Sequence, residues 1–316
     1  MSIRNQTARL DPQKFQNEAL TLKGERRATV ALTALRTLWF NTGTLCNITC
    51  ANCYIESSPR NDALVYLSAK EVGTYLDEAA TLPLEEVGFT GGEPFMNPDL
   101  LPMLDDVLRR GLRALVLTNA MQPMRRYAQP LLALRDRHGV DRLTIRVSLD
   151  HHDAAIHDIE RGAGSFARTL EGLVWLAREG FPLHVAARAG FGGQEEAAMR
   201  VGFAGLFATN GIPVDAADPV ALMLFPEMDA DRDVPEITES CWGILEKGPD
   251  DLMCASSRMV VKRKGAATPA VLACTLLAYD ERFELGATLA EAARPVALNH
   301  PHCATFCVLG GAVCSR

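Results

Sequence analysis

The 316-residue sequence contains no run of about 18 apolar residues, so it offers no candidate for a membrane-spanning helix. Its N-terminal stretch MSIRNQTARLDPQKF is polar and lacks the apolar segment of a secretory signal peptide, which predicts a cytoplasmic protein. Positive charge is not in excess either. The net charge is −7 and the isoelectric point is near 5.6, which argues against binding along a nucleic-acid backbone. Repeats and low-complexity tracts are absent, and the composition, 48% apolar and 22% charged, is that of a soluble globular protein.

Nine cysteines occur in a chain without an export signal, which indicates metal binding in a reducing compartment rather than disulfides. Cys46, Cys50 and Cys53 have the spacing C-x3-C-x2-C and follow the apolar run at 38–40. Three thiolates on one short loop can hold three irons of a four-iron, four-sulfur cluster and leave the fourth iron open to a small molecule. The alternatives are a structural zinc site, which would normally show four ligands in two close pairs, and three unrelated core cysteines.

A second motif, formed by Gly91, Gly92, Glu93 and Pro94, follows the apolar segment 87–90. Adjacent glycines let the backbone approach a ligand closely, and Glu93 supplies an acceptor for an ammonium group. The motif therefore predicts a binding site for a ligand that carries an amine.

The cysteine motif followed by G-G-E-P resembles the radical S-adenosylmethionine (SAM) superfamily over about residues 36–225. The resemblance implies that Cys46, Cys50 and Cys53 bind a [4Fe–4S] cluster whose open iron is chelated by the amino and carboxylate groups of SAM. It also implies reductive cleavage of SAM to a 5′-deoxyadenosyl radical, which abstracts hydrogen from a substrate. A flavodoxin- or ferredoxin-type protein is the implied electron donor. Where many members have an aromatic residue before the third cysteine, this chain has Asn52.

Apolar strand patterns alternate with helical patterns through the middle of the chain. The predicted strands are 37–41, 86–90, 114–118, 143–149, 183–187 and 220–225, and the predicted helices are 68–80, 98–110, 124–138, 165–179 and 195–209. Ser68 with Glu71 three residues later is typical of a capping box. Six such units predict an α/β fold, a partial (β/α)6 version of the TIM barrel, with its chemistry at the carboxyl ends of the strands.

Four polar residues at predicted strand ends are candidate SAM contacts. Asn119 follows the third strand, and Ser148 and Asp150 close the fourth, with side chains on the same side of it. The resemblance implies that such residues hydrogen-bond the ribose of SAM. Arg188 follows the fifth strand and is a candidate partner for the methionine carboxylate, with a surface salt bridge as the alternative. The segment 161–166 resembles the R-G-x-G-S-F segment of peptide-modifying branches.

The remaining cysteines lie in a tail where the alternation stops. A hairpin with a basic turn at Gly265 is predicted there. The arrangement resembles the auxiliary-cluster domain of the SPASM and twitch branches. It implies one auxiliary iron–sulfur cluster, of the [4Fe–4S] type, bound by Cys254 and Cys274 with two or three of Cys303, Cys307 and Cys314. A zinc knuckle is the alternative.

Three regions are therefore predicted: an N-terminal extension at 1–35 that packs on the barrel, the barrel at 36–228, and the small cysteine-rich iron–sulfur domain at 229–316. The leading functional hypothesis is a radical SAM enzyme that modifies a ribosomally synthesised peptide. The alternatives are an enzyme that acts on a small-molecule metabolite and a non-catalytic iron–sulfur redox protein. No nucleic-acid or membrane partner is expected.

Overall fold

The computed structural model describes residues 9–190, 193–245 and 247–310. The strands in these ranges are β1 (Thr29–Val30), β2 (Thr37–Asn41), β3 (Glu86–Thr90), β4 (Arg113–Thr118), β5 (Leu143–Ser148), β6 (Leu183–Arg188), β7 (Leu222–Phe225), β8 (Ser257–Val261), β9 (Ala270–Leu272), β10 (Glu284–Gly286) and β11 (Val296–Ala297). Nine of them form one sheet in the order β10-β9-β8-β2-β3-β4-β5-β6-β7, and β1 pairs with β11.

The six strands from β2 to β7 are parallel and neighbour one another in chain order. They match the six predicted strands to within two residues at each end. Every position of β2 and β3 is buried, as expected for parallel strands that are covered on both faces. The predicted α/β partial barrel is confirmed.

Helices connect these strands. They are α1 (Ala69–Glu78), α2 (Leu100–Arg109), α3 (Gln122–Arg125), α4 (Ala128–His138), α5 (Ala154–Arg161), α6 (Ser165–Arg178) and α7 (Glu196–Asn210), with α8 (Cys241–Leu245) and a C-terminal helix of π geometry (Cys303–Leu309) in the tail. The capping box of α1 is confirmed, because Ser68 and Glu71 each accept a hydrogen bond from the other's backbone N–H. The predicted helix 124–138 is divided into α3 and α4. Pro130 explains the division, because it lacks the N–H that a continuous helix would need there.

The sequence analysis missed helix α5. The Asp153 carboxylate begins it by accepting hydrogen bonds from the backbone N–H groups of Ala155 and Ile156, and Gly162 ends it with φ of +92°. This Asp–Gly pattern was the available signal. The helix matters because its last two residues, Glu160 and Arg161, reach the site described below.

The tail hairpin continues the barrel sheet. Strands β8 and β9 are antiparallel and flank Gly265, which confirms the predicted hairpin. Strand β8 also pairs in parallel with β2, from Thr37 to Phe40, so the sheet crosses the expected boundary between barrel and tail. The division at 228/229 stays a prediction.

In the described residues 9–35, the N-terminal extension makes several contacts to the tail. Ala28 donates its backbone N–H to Ile237 and accepts one from Leu298. The buried Arg27 guanidinium forms an ion pair of 2.6 Å with Glu236. Strand β1 pairs with β11, which joins segments too distant in sequence for any local pattern to indicate. Packing of the extension on the barrel stays a prediction.

The barrel interior is filled at its middle by Trp39, whose side chain is fully buried. A Cβ atom at Gly88 on the neighbouring strand would lie 2.3 Å from the Trp39 ring, so only glycine fits there. This packing leaves open space towards the carboxyl ends of the strands. No helix in the described part of the chain is both long enough and apolar enough to span a bilayer.

Candidate functional site

The carboxyl ends of the barrel strands surround a cavity of about 430 Å³, referred to below as the barrel cavity. Thr118 at the end of β4 and Ser148 at the end of β5 form part of its wall. The tail closes the opposite side with Leu276, His302 and Phe306. Ligands of parallel barrels bind at this end of the strands.

Cys46, Cys50 and Cys53 all line the barrel cavity from the cysteine loop, which we define as residues 42–67 between β2 and the cap of α1. All three are free thiols. Burial raises the pKa of Cys46 to about 12 and that of Cys50 to about 11. Both side chains are therefore neutral thiols at physiological pH and would release protons on binding a metal.

Helix α5 anchors the cysteine loop through Glu160. The backbone N–H of Asn52 and its side-chain Nδ2 each donate to the Glu160 carboxylate at 2.8 Å, and Ala51 donates to the Glu160 carbonyl oxygen at 2.8 Å. The same carboxylate lies 3.0 Å from the Arg188 guanidinium. Asn52, which replaces the common aromatic residue, therefore ties the loop to the barrel wall.

The glycines of the G-G-E-P motif pack against the cysteine loop. The backbone N–H of Gly92 donates to Gly43, and that of Glu93 donates to Leu45. A Cβ atom would lie 2.5 Å from the Gly43 carbonyl oxygen at position 91 and 2.2 Å from the Leu45 carbonyl oxygen at position 92. Both glycines line the barrel cavity, but the close approach that requires them is to the loop backbone.

Glu93 and Pro94 lie behind this surface, buried and outside the cavity wall. The Glu93 carboxylate accepts hydrogen bonds from Thr118 Oγ1 at 2.8 Å and from the backbone N–H groups of Asn119 and Phe95. Burial raises the pKa of Glu93 to about 7 in spite of these donors. The observed contacts give Glu93 the role of fixing the end of β4.

The other predicted strand-end residues converge on the cavity. Asn119, Ser148, Asp150 and Arg188 all line it. Asp150 is bound by Arg161 through two hydrogen bonds of 2.5 and 3.0 Å. Burial opposes ionisation of Asp150, but the Arg161 charge outweighs it and lowers the pKa of the carboxyl.

Two ion pairs thus form a charged wall, Asp150 with Arg161 and Glu160 with Arg188. The sequence analysis assigned no role to Glu160, Arg161, Leu276 or Phe306, and it gave His302 only as a weaker candidate ligand of the tail. Of these residues, Arg161 could have been found from the sequence, since it begins the R-G-x-G-S-F segment. The tail residues had no local signal, because only the folding of the tail over the barrel brings them there.

Four tail cysteines surround a second, smaller cavity, the tail cavity. Cys254, Cys274, Cys303 and Cys307 line it together with His302 and apolar side chains, and its volume is about 20 Å³. This space holds about one water, so a bound cluster would require lining side chains to move outward. Burial raises the pKa of Cys254 to about 11 and that of Cys303 to about 12. Cys314 lies outside the described residues.

Within residues 9–190, 193–245 and 247–310, no three His, Cys, Asp or Glu side chains converge as ligands of a single metal ion. The ligands of an iron–sulfur cluster do not have to converge on one point, because each thiolate binds a separate iron.

The family model of the radical SAM superfamily matches residues 40–200, which is about half of the chain. The chain belongs to the radical SAM superfamily. Membership implies an enzyme that uses a [4Fe–4S] cluster and SAM.

Three curated relatives are similar to part of this chain. They are the antilisterial bacteriocin subtilosin biosynthesis protein AlbA of Bacillus subtilis, 34% identical over 143 residues, the mycofactocin maturase MftC of Mycobacterium ulcerans, 30% over 136, and the AdoMet-dependent heme synthase of Methanosarcina barkeri, 32% over 141. These matches cover 45%, 43% and 44% of this chain but only 30%, 35% and 38% of the relatives' own lengths.

Two solved structures share the radical SAM fold of this chain. Streptococcus suis SuiB bound to S-adenosylmethionine has a TM-score of 0.58 at 14% identity, covering 81% of this chain and 64% of SuiB. The anSMEcpe protein with bound AdoMet and the Cp18Cys peptide has a TM-score of 0.57 at 12% identity, covering 81% of this chain and 79% of that one. At these identities the likeness concerns the fold alone.

Proposed function

We propose that Cys46, Cys50 and Cys53 bind the [4Fe–4S] cluster and that SAM occupies the barrel cavity beside them. The main support is that all three thiols of the cysteine loop line one cavity of about 430 Å³, in a chain that belongs to this superfamily. When bound, the cluster and SAM supply a 5′-deoxyadenosyl radical that abstracts hydrogen from a substrate. The residues of the chain bind and orient these groups and exclude water from them.

The charged wall is suited to the polar ends of SAM. In the proposal, Arg188 pairs with the methionine carboxylate, while Ser148 and Asp150 hydrogen-bond the ribose. Asn119 contributes from the end of β4, where its Nδ2 donates to Asn47 Oδ1 of the cysteine loop at 2.8 Å.

The G-G-E-P motif bounds SAM on the other side. Gly91 and Gly92 are half-buried and line the cavity, and Pro94 begins the short helical turn Pro94–Met96 behind them. A direct bond from Glu93 to the SAM ammonium stays a prediction. Its three observed hydrogen bonds support an indirect role through Thr118 and Asn119.

The proposed substrate is a ribosomally synthesised peptide. Support comes from the R-G-x-G-S-F segment and from the similarity to a bacteriocin biosynthesis protein. A small-molecule metabolite is the second candidate, and the similarity to a heme synthase favours it. The proposed electron donor is a flavodoxin- or ferredoxin-type protein.

The test uses anaerobically reconstituted protein, SAM and dithionite, with 5′-deoxyadenosine as the measured product. Wild type should form it, and the triple variant Cys46→Ala, Cys50→Ala, Cys53→Ala should not. A fully loaded wild type that forms none would support the redox-protein alternative. Adding a peptide encoded beside the gene should yield a mass-shifted peptide, whereas conversion of a metabolite alone would favour the second candidate.

We further propose that the tail, residues 229–316, is a SPASM- or twitch-like domain with one auxiliary [4Fe–4S] cluster bound by Cys254, Cys274, Cys303 and Cys307. The support is that these four thiols line one enclosed cavity, which fits the donor set of such a cluster. Cys314 stays a further candidate ligand.

Metal analysis tests the proposed tail site. Two clusters predict about eight irons per chain, and the triple variant of the cysteine loop should retain about four. Zinc in place of the second set of irons would support the zinc knuckle. An unchanged iron content in the triple variant would contradict the assignment of the first cluster.

A further inference from the structure

The turn of the tail hairpin contacts the far end of the cysteine loop. The backbone N–H of Val65 donates to Lys262 at 2.8 Å, and that of Lys264 donates to Ala63 at 2.9 Å. The Lys264 ammonium lies 2.7 Å from the Asp62 carboxylate. The loop that carries the barrel thiols is therefore held partly by the tail.

A second contact lies closer to the thiols. The Tyr279 hydroxyl donates to the carbonyl oxygen of Ile55 at 2.8 Å, two residues after Cys53. Asn61 Nδ2 donates to the same hydroxyl at 3.2 Å and to the Glu56 carbonyl oxygen at 2.9 Å. Tyr279 and Asn61 together fix the backbone of residues 55–56.

This backbone needs support, because Glu56 has φ of +51°. Non-glycine residues rarely adopt this conformation, and it persists only where surrounding contacts determine it. The Tyr279 and Asn61 hydrogen bonds supply such contacts to the two peptide groups on either side of the Glu56 Cα atom.

Tyr279 is also the end of a short connection to the tail cavity. Cys274 lines that cavity, and Leu276 lines both cavities. Only four residues therefore lie between a tail thiol, that of Cys274, and Tyr279, which fixes the loop beyond Cys53. Over such a short stretch of chain, the position of Cys274 constrains the position of Tyr279.

We propose that Tyr279 is a positioning residue for the metal site of the barrel, and that the segment 274–279 couples the geometry of the tail thiols to the Cys53 end of the cysteine loop. The inference rests on the proposed function in assigning the first cluster to this loop and SAM to the barrel cavity beside it. It makes the tail a structural part of the SAM site.

The test compares Tyr279→Phe with Tyr75→Phe. The Tyr75 hydroxyl also joins the barrel to the tail, donating to the Ala287 carbonyl oxygen at 2.8 Å, but it bonds to no residue of the cysteine loop. Hydrogen–deuterium exchange over residues 54–61 is measured on the full chain. Calorimetry measures the dissociation constant for SAM, and electron paramagnetic resonance follows the reduced first cluster on addition of SAM.

Tyr279→Phe should raise exchange over 54–61 and weaken SAM binding by about three- to tenfold, the effect of one lost hydrogen bond, and should alter the SAM-dependent resonance signal. Tyr75→Phe should leave all three unchanged. Equal behaviour of the two variants would overturn the proposal.

A double-mutant cycle with Asn61→Ala gives an independent check. Because the two side chains hold the peptide groups on either side of Glu56 and hydrogen-bond to each other, the double variant should exchange no faster than the faster single variant. Additive effects would overturn the proposal. Hydrogen exchange needs no SAM, so a wild type that fails to bind SAM would refute the proposed function and still leave the coupling measurable.

Discussion

Replacement of Glu160 by alanine tests the contacts that hold the cysteine loop to helix α5. The Glu160 carboxylate is 3% exposed and accepts two hydrogen bonds from Asn52 while pairing with Arg188 at 3.0 Å. Alanine leaves these donors without their acceptor inside the wall of the barrel cavity. The Arg188 guanidinium also lies 3.7 Å from the Glu227 carboxylate.

The magnitude follows from these contacts. A hydrogen bond to a charged group contributes about 1.5–3 kcal/mol, and removal of one partner of a buried ion pair costs about 3–5 kcal/mol. The terms share one carboxylate and do not add, so Glu160→Ala should lower the free energy of unfolding by about 4 kcal/mol. Glu160→Gln retains one acceptor oxygen and should lose about half as much.

The assay is urea unfolding of the metal-free protein, followed by chelator challenge of the reconstituted protein. Glu171→Ala is the matched control. Its carboxylate pairs with Arg125 at 3.3 Å but is 71% exposed, so its loss should cost less than about 1 kcal/mol. Chelator should also remove iron faster from Glu160→Ala, since the loop loses its anchor. A destabilisation equal to that of the control, with unchanged iron release, would refute the role assigned to Glu160.

Three further predictions follow from single positions. Gly92→Ala places a Cβ atom 2.2 Å from a carbonyl oxygen of the cysteine loop and should reduce iron content, whereas Gly205→Ala meets nothing within 4 Å and should not. Because the pKa of Glu93 is raised from 4.5 to about 7, the folded state binds its proton more tightly, and the metal-free protein should lose on the order of 3 kcal/mol of stability between pH 4.5 and 7. Glu93→Gln should flatten this pH dependence in urea titrations, and an unchanged slope would contradict the raised pKa. Cys254→Ala should lower iron content by about four per chain, while Cys241→Ala, outside both cavities, should leave it unchanged.

The barrel and the cysteine loop were determined by the sequence, because both are encoded locally. An apolar run such as 38–40 has to be buried, and the residues before and after it in the sequence indicate where the strand begins and ends. The C-x3-C-x2-C spacing places three thiols on one short loop whatever the rest of the chain does. The G-G-E-P motif is local as well, although its glycines turned out to face the loop backbone.

The partners of these elements were decided only by the tertiary structure. Strand β8 pairs with β2, although more than two hundred residues separate them in the sequence. No local pattern predicts which strand will pair with the edge of a sheet. Glu160 is an ordinary helical residue in the sequence, and it becomes an anchor only because α5 ends beside Asn52. Tyr279 likewise reaches Ile55 through the packing of the tail on the cysteine loop. Hydrogen bonds and ion pairs act over a few ångströms, so their partners are set by the packing of distant segments and not by spacing along the chain.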